Sequence, residues 1–402
     1  MEKVYIVAAK RSAIGSFGGA LKDLPASKLG AVVVKEALKT AGVNPENVDE
    51  VIVGNVLGAG QGMGPGRQVA LYSGIPESVP AYTLNMICGS GMKSVMTGAT
   101  DIRVGDADVV VSAGIENMSK TPYLVDGKTR FGSKFGSMVM TDHMINDGLT
   151  DVFNDYHMGI TAENIAEKHG ITREEQDEFS AESQRRALSA IAEGKFKDEI
   201  IPVELKSKKG PVFFETDEYP RSGTTFETLS KLKPAFKKDG TVTAGNSSGI
   251  NDGASVIVLA SEKAVNEYGL KPLAEVVGYD QAALDPAYMG LGPVPAIKKV
   301  LKKINMNIKD MDLIELNEAF ASQSLGVIKE LSEEYGVTKD WFLERTNVNG
   351  GAIALGHPVG VSGNRIIVTL LHEMKKRSSE YGLASLCIGG GMGTAIVIKN
   401  IK

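Results

Sequence analysis

The segment VDEVIVGN at residues 48–55 recurs in outline as DMDLIELN at residues 310–317. Each copy follows a predicted helix and a short polar turn. A second pair comes later in the same order, with VVVSAGIENM at residues 109–118 and LASLCIGGGM at residues 383–392. This ordered recurrence indicates one duplicated α/β unit. Chance similarity among α/β units is the competing explanation.

Other apolar segments alternate between strand and helix patterns. Residues 4–9 and 107–113 are short apolar runs typical of buried strands, and residues 29–41 and 296–304 carry apolar side chains at helical spacing. The alternation predicts an α/β protein with a mainly parallel sheet. Residues 119–250 are more charged and less regular, so we expect an insertion that supplies specificity and oligomer contacts.

The bulk composition excludes several classes of protein. The chain has 402 residues, which predicts two or three cores, and a formal net charge of −5, which offers no basic field for nucleic acid. Its apolar runs are shorter than a membrane span, and residues 1–9 read as a strand rather than a secretory signal. We therefore expect a cytoplasmic protein that binds neither nucleic acid nor membrane.

The first candidate site is NMICGSGMKS at residues 85–94, where an apolar strand stops and small residues open a helix. A cysteine at a helix N-terminus faces unpaired N–H groups, which predicts a lowered pKa and an oxyanion site at Cys88. The alternative is a buried cysteine packed under a glycine turn.

Three more motifs carry reactive side chains at the ends of predicted strands or in glycine turns. His357 lies in NGGAIALGHP, residues 349–358, and could accept a thiol proton. Cys387 lies in LCIGGGMG, residues 386–393, where the Gly389 N–H could bind an anion. Asn317 opens NEAF and could orient a water or a carbonyl. The alternatives are a histidine tied to local backbone and a turn asparagine.

The sequence shows no spacing of residues typical of metal ligands, and its glycine runs fit neither a Walker loop nor a dinucleotide fingerprint.

Together, NxxCGSGMKS, NEAFA, GGAIALGHP and CIGGGMG resemble the thiolase family in order and spacing, over nearly the whole chain. The segments VYIVAAKRSAIGSFGG, MGITAEN and AGNSSGINDGA, starting at residues 4, 158 and 244, resemble it as well. The resemblance implies a five-layered α-β-α-β-α fold of two similar halves with an inserted loop domain, and catalysis without a metal or a tightly bound cofactor. The implied domains are residues 1–118 with 251–271, the loop domain 119–250, and residues 272–402.

The resemblance also implies a role for each reactive residue. Cys88 accepts the acyl group, and His357 activates it and helps to polarise the thioester oxygen. Cys387 removes the α-proton of a second acetyl-CoA. Asn317 holds a water in the enolate oxyanion site, and the N–H groups of Cys88 and Gly389 form the other oxyanion site.

The implied reaction is the reversible Claisen condensation of two acetyl-CoA molecules to acetoacetyl-CoA and CoA. Arg221 is expected near the nucleotide end of CoA and Ser248 near its pantetheine arm, and His157 with Met158 narrows the acyl pocket. Phe236 and Met289 could instead be plain core, and Arg221 a solvated charge. The full set of implied substrate contacts is Leu149, His157, Met158, Arg221, Phe236, Ala244, Ser248, Met289 and Phe320.

Competing functions remain open at this point. A degradative 3-ketoacyl-CoA thiolase would carry nearly the same motifs. The second cysteine argues against a ketoacyl-carrier-protein synthase, and no acid orienting His357 is evident for a cysteine hydrolase. A non-catalytic acyl-CoA-binding scaffold would have little reason to keep both thiols.

Three further expectations concern the periphery and the thiols. The family forms dimers that often pair into tetramers, and residues 127–144 are the expected contact loop. Residues 332–346, SEEYGVTKDWFLERT, are expected to be a surface excursion. Cys88 and Cys387 should lie close enough to form a disulfide on oxidation.

Overall fold

The computed structural model describes residues 2–206 and 210–401. Met1, Lys402 and residues 207–209 fall within the expected domain ranges but lie outside the described residues. The helices are α1 (Ala26–Ala41), α2 (Pro65–Ser73), α3 (Ser90–Val104), α4 (Met158–His169), α5 (Arg173–Ala192), α6 (Phe226–Leu229), α7 (Glu262–Glu267), α8 (Pro293–Lys303), α9 (Ala321–Tyr335), α10 (Lys339–Arg345), α11 (Ala352–Leu355) and α12 (Val359–Arg377). The strands are β1 (Val4–Ser12), β2 (Gly15–Ser16), β3 (Glu50–Gly54), β4 (Ala81–Leu84), β5 (Val109–Asn117), β6 (Tyr123–Val125), β7 (Met140–Asp142), β8 (Thr150–Asp151), β9 (Tyr156–His157), β10 (Ile200–Ile201), β11 (Val203–Leu205), β12 (Val212–Phe214), β13 (Asn251–Ser261), β14 (Ala274–Ala283), β15 (Leu313–Leu316), β16 (Tyr381–Ile388) and β17 (Met392–Asn400).

The strand pairing repeats itself in the two halves of the chain. In the first half β3 lies parallel to β5, and β5, β13 and β1 follow one another antiparallel. In the second half β15 lies parallel to β16, and β16, β17 and β14 follow in the same antiparallel sense. The recurring segments occupy equivalent strands, β3 with β15 and β5 with β16. The duplication predicted from the sequence is therefore confirmed by the topology. The expectation of a mainly parallel sheet is wrong, because five of the eight pairs along the sheet from β15 to β4 are antiparallel.

The two half-sheets join through a short pairing of β1 with β14, between Tyr5 and Glu275 and between Ile6 and Ala274. Helices α1 and α2 cover the outer face of the first half-sheet, and α8 and α9 cover the outer face of the second. Helices α3 and α12 lie between the two half-sheets and share one core with both. The layers thus run α-β-α-β-α, as expected.

Burial on both faces explains the continuous apolar runs of the central strands. Val51 and Val53 of β3 pack into the outer core, and Ile52 packs into the central core. The central helices approach each other closely because both carry glycine at the contact. A Cβ on Gly91 would lie 2.8 Å from the backbone nitrogen of Asn364, and one on Gly363 would lie 2.6 Å from that of Met92.

The middle of the chain, from residue 119 to 250, contains α4, α5 and α6 among short strand pairs and loops. Helix α5 begins with the expected capping box of Thr172 and Glu175. Among the described residues, no helix combines the length and the apolarity that crossing a lipid bilayer requires.

The expectation of a surface excursion at residues 332–346 is wrong in part. Helix α10 places Phe342, which is 0% exposed, into the core of α8 and α9. Trp341 packs edge-on against Phe342, with ring centroids 5.1 Å apart. The segment adds to the outer helical layer because its apolar residues face that layer rather than solvent.

Candidate active site

Cys88 lies in a tight turn between β4 and the central helix α3. The residue before it, Ile87, has φ of 47°, a left-handed conformation that is costly for a β-branched side chain. The hydroxyl of Ser90 accepts the N–H of Met86 at 2.8 Å and donates to the Ile87 carbonyl at 2.7 Å. This pair of hydrogen bonds holds the strained turn and points to a functional position for the thiol.

Burial raises the pKa of Cys88 to about 11, although backbone N–H groups of Gly389 and Cys88 itself favour the thiolate and lower it. The expected low pKa is therefore wrong. The second half of the chain closes over the helix N-terminus, so that desolvation outweighs the N–H donors. Near neutral pH the thiol is protonated and needs a base.

His357 can be that base. Its backbone N–H donates to Asn251 Oδ1 at 2.9 Å, and its Nδ1 lies 2.6 Å from Ser362 Oγ in the first turn of α12. Burial, followed by the charge of Arg365, lowers the pKa of His357 to about 4. The imidazole is neutral at pH 7, the form that can accept a proton.

Cys387 is the penultimate residue of β16, the strand equivalent to β5, and is 1% exposed. The glycines after it make the hairpin to β17, with φ of 84° at Gly390 and 81° at Gly391. Burial, and then the neighbouring Cys88, raises the pKa of Cys387 above its ordinary value. The electrostatic coupling requires the two thiols to be near each other; the disulfide stays a prediction.

Asn317 follows β15 and is 1% exposed. Within the described residues, neither its Oδ1 nor its Nδ2 has a hydrogen-bonding partner. Glu318 beside it is held firmly, since its carboxylate accepts hydrogen bonds from Ser183 at 2.7 Å and Asn347 at 2.9 Å. A buried and unpaired amide is costly in a folded protein, which is typical of a group kept for a ligand.

The predicted residues, Asn317 excepted, line one cavity of about 420 Å³. Asn317 itself is not among the lining residues, but it lies two positions before Ala319 and three before Phe320, which are. Predicted residues of this lining are Cys88, Leu149, His157, Met158, Arg221, Phe236, Ala244, Ser248, Met289, Phe320, His357, Cys387 and Gly389.

An aromatic group forms one wall of the cavity. The ring of His157 stacks on Phe236 with centroids 4.7 Å apart, and Phe236 meets Phe320 edge-on at 6.1 Å. Gly159 makes room for this stack, because a Cβ there would lie 2.2 Å from Cγ of Phe236. Arg221 is exposed and lies over the ring of Tyr219, 5.4 Å from its centroid.

Sequence reasoning missed several residues that support the site. Glu116 is fully buried, and its carboxylate accepts the N–H groups of Val56 and Leu57 from one half and of Gly360 from the other, at 2.9–3.1 Å. Burial raises the pKa of Glu116 to about 7. Ser362 could have been identified from the sequence, because it lies one helical turn after Pro358, the proline that follows His357.

Comparison with known proteins agrees with this geometry. The thiolase N-terminal domain profile matches residues 4–263, and the thiolase C-terminal domain profile matches residues 270–400. An acetyl-CoA acetyltransferase of Pseudomonas aeruginosa is 54% identical over 399 residues, covering 99% of both chains.

Two solved structures superpose closely. One is the Bacillus anthracis acetyl-CoA acetyltransferase, with a TM-score of 0.95 and 46% identity, covering 100% of this chain and 99% of that one. The other is human mitochondrial 3-ketoacyl-CoA thiolase in complex with CoA, with a TM-score of 0.94 and 46% identity, covering 100% of this chain and 98% of that one. From its sequence, fold and site, this chain belongs to the thiolase family.

Proposed function

We propose that this chain is an acetyl-CoA acetyltransferase that interconverts two acetyl-CoA molecules with acetoacetyl-CoA and CoA. The observation that carries the proposal is the meeting of two thiols, Cys88 and Cys387, with a neutral imidazole, His357, in one cavity. The name of the Pseudomonas aeruginosa relative, at 54% identity, supports the same activity.

In the first half-reaction His357 takes the proton of Cys88 as the sulfur attacks the thioester carbonyl. The carbon–sulfur bond to CoA breaks, and CoA leaves as a thiol after receiving the proton of Cys387, which is left as a thiolate beside the imidazolium of His357. The backbone N–H groups of Cys88 and Gly389 stabilise the oxyanion, since they already favour negative charge at this point. The product is an acetyl-cysteine at position 88.

In the second half-reaction the thiolate of Cys387 removes an α-proton from a second acetyl-CoA and becomes a thiol again. A thioester α-proton is weakly acidic, so the enolate oxygen needs fixed donors. The imidazolium of His357, which keeps the Cys88 proton at this stage, and a water held by the amide of Asn317 supply them. The enolate carbon then attacks the acetyl carbonyl and the bond to Cys88 breaks. The imidazolium of His357 returns its proton to the Cys88 sulfur, and acetoacetyl-CoA is released.

The cavity walls favour short acyl groups. Met158 and Met289 are buried, and the stacked rings of His157 and Phe236 limit the space beside them. The exposed guanidinium of Arg221 suits the phosphates of CoA at the cavity mouth. In the proposed reaction CoA and acetyl-CoA are consumed or released at each turnover, so they are substrates rather than resident cofactors.

The experiment that tests the function is thiolysis by the purified protein of acetoacetyl-CoA and of a long-chain 3-ketoacyl-CoA, at matched concentrations. The proposal expects kcat/KM to be at least about 10-fold higher for acetoacetyl-CoA, since each excess methylene must displace a packed wall. A preference for the longer substrate would favour a degradative thiolase. No turnover of either substrate would favour a non-catalytic scaffold.

Domain division, location and assembly are part of the proposal. We take residues 119–250 as a loop domain inserted into the first half, and the protein as a cytoplasmic homo-oligomer. Residues 127–144 expose large apolar side chains, among them Phe131 at 90% and Phe135 at 95%, which suits a contact between subunits. A stable monomer in analytical ultracentrifugation would contradict the assembly.

A further inference from the structure

Ser362 contacts the imidazole of His357 from behind the cavity. Its Oγ lies 2.6 Å from Nδ1 of the ring and 3.0 Å from the carbonyl oxygen of Pro358, one helical turn earlier. Ser362 is 1% exposed and His357 is 6% exposed, so bulk water does not compete for these contacts. The geometry leaves a single hydroxyl proton to be shared between two neighbours.

The place of that proton decides which nitrogen of the ring is the base. If the hydroxyl donates to Pro358, it can only accept from the ring, and Nδ1 must carry the hydrogen. Nε2 is then a free acceptor. If the hydroxyl donates to Nδ1 instead, Nε2 carries the hydrogen and cannot take the proton of Cys88.

We propose that Ser362 is a positioning residue that accepts a hydrogen bond from Nδ1–H of His357 and thereby leaves Nε2 as the base for Cys88. The role of the base rests on the proposed function; the choice of tautomer does not. A hydroxyl bonded to the carbonyl four residues earlier is a common arrangement in helices, and here it directs the oxygen lone pairs at the ring. The Pro358 carbonyl also accepts the N–H groups of Val361 and Ser362, which ties this acceptor to the start of α12.

Two features make the tautomer consequential. The ring is neutral at pH 7, because burial lowers the pKa of His357 to about 4, so one nitrogen must lack a hydrogen. The ring is buried, with 6% of the residue exposed, and the contact of Nδ1 with Ser362 Oγ at 2.6 Å sets which nitrogen faces the serine. When the Cys88 proton reaches Nε2, the imidazolium keeps Nδ1–H on Ser362, and no second proton has to move.

The direct test is nitrogen NMR of the resting wild-type protein, labelled with ¹⁵N-histidine at pH 7. The chain has five histidines, and the His357 signals are those lost in His357→Asn. The proposal expects a protonated Nδ1 and an unprotonated Nε2. An unprotonated Nδ1 would overturn it. The result needs no turnover, so it stands apart from success or failure of the proposed activity.

Ser362→Ala tests the consequence for the thiol. We expect alkylation of Cys88 by iodoacetamide and thiolysis of acetoacetyl-CoA to slow together, by about 10- to 100-fold. The matched control is Ser180→Ala, because Ser180 is also fully buried and its hydroxyl donates to the carbonyl four residues earlier, that of Gln176, at 2.7 Å. Among the described residues it forms no hydrogen bond with a histidine. Its rates should match the wild type.

Ser362→Thr keeps the hydroxyl and should stay within about three-fold of the wild type in alkylation rate. Equal alkylation rates for Ser362→Ala and the wild type, with Ser362→Ala folded by urea titration, would overturn the proposal. Should either variant fail to fold, the NMR assignment on the wild type still decides it.

Discussion

Replacing Asn317 by leucine should abolish most activity while leaving the fold intact or more stable. Leucine places heavy atoms at the same branch positions without the polar amide. Because neither Oδ1 nor Nδ2 of Asn317 has a partner among the described residues, the substitution breaks no hydrogen bond within the protein. It removes the desolvation cost of an amide that no described protein group pairs, roughly 1–3 kcal/mol and partly offset by the water of the proposed mechanism, against some crowding by two methyl groups.

We therefore expect the free energy of unfolding of Asn317→Leu to change by between about 0 and +2 kcal/mol. The same substitution at Asn246 is the matched control. Asn246 is 0% exposed, and its amide accepts from Thr243 and donates to Asp177 and Thr241 at 2.7–3.1 Å. Three lost hydrogen bonds, one to a buried carboxylate, should cost about 3 kcal/mol or more.

The assay is urea unfolding of the three proteins, followed by thiolysis of acetoacetyl-CoA by those that are folded. For Asn317→Leu, kcat should fall by about 10²- to 10³-fold, the usual effect of losing one oxyanion donor. A loss of stability in Asn317→Leu as large as in Asn246→Leu would refute the reasoning, since the amide would then belong to a structural network. Full activity in Asn317→Leu would refute the catalytic part.

Other parts of the structure give predictions of the same kind. Gly159→Ala should push Phe236 out of its stack, because the new Cβ would lie 2.2 Å from the ring, and raise KM for acetoacetyl-CoA by about 10-fold in steady-state assays. Arg11→Met should lower the free energy of unfolding by about 3–5 kcal/mol in urea titration, because it leaves the buried carboxylates of Glu199 and Asp217, which accept from the guanidinium at 2.6–2.9 Å, without a partner charge. The same substitution at the exposed Arg185 should lower it by less than about 1 kcal/mol. His357 has a folded-state pKa of about 4, below its ordinary value of 6.5, so between those pH values the unfolded chain binds more protons. Stability should therefore fall by up to about 3 kcal/mol as pH drops from 6.5 to 4, and His357→Asn should lack that part of the fall.

The duplication was predictable because both halves of the chain repeat the same local pattern of apolar residues. Segments such as VDEVIVGN are apolar at successive positions, and only a strand covered on both faces, as β3 is, requires that. The motifs at Cys88, His357 and Cys387 were likewise visible, since each combines a reactive side chain with small residues at a sharp turn.

The electrostatics of the site could not be predicted in the same way. The pKa of Cys88 depends on desolvation by the other half of the chain, where Ile388 closes against Gly89 at a distance that admits no Cβ. No local pattern records such a contact. Helix α10 was misjudged for a related reason, because the burial of Phe342 depends on α8 and α9 rather than on its own neighbours in sequence.

The most direct test of the account is the search for its covalent intermediate. The wild-type protein and Cys88→Ser would each be mixed with acetyl-CoA, quenched in acid within seconds, digested and measured by peptide mass spectrometry. The account predicts an acetyl group on the wild-type peptide that contains Cys88, its loss on adding CoA before the quench, and no acetylated counterpart in the variant. Turnover of acetoacetyl-CoA by the wild type without any acetylation of Cys88, or undiminished turnover by Cys88→Ser, would contradict it.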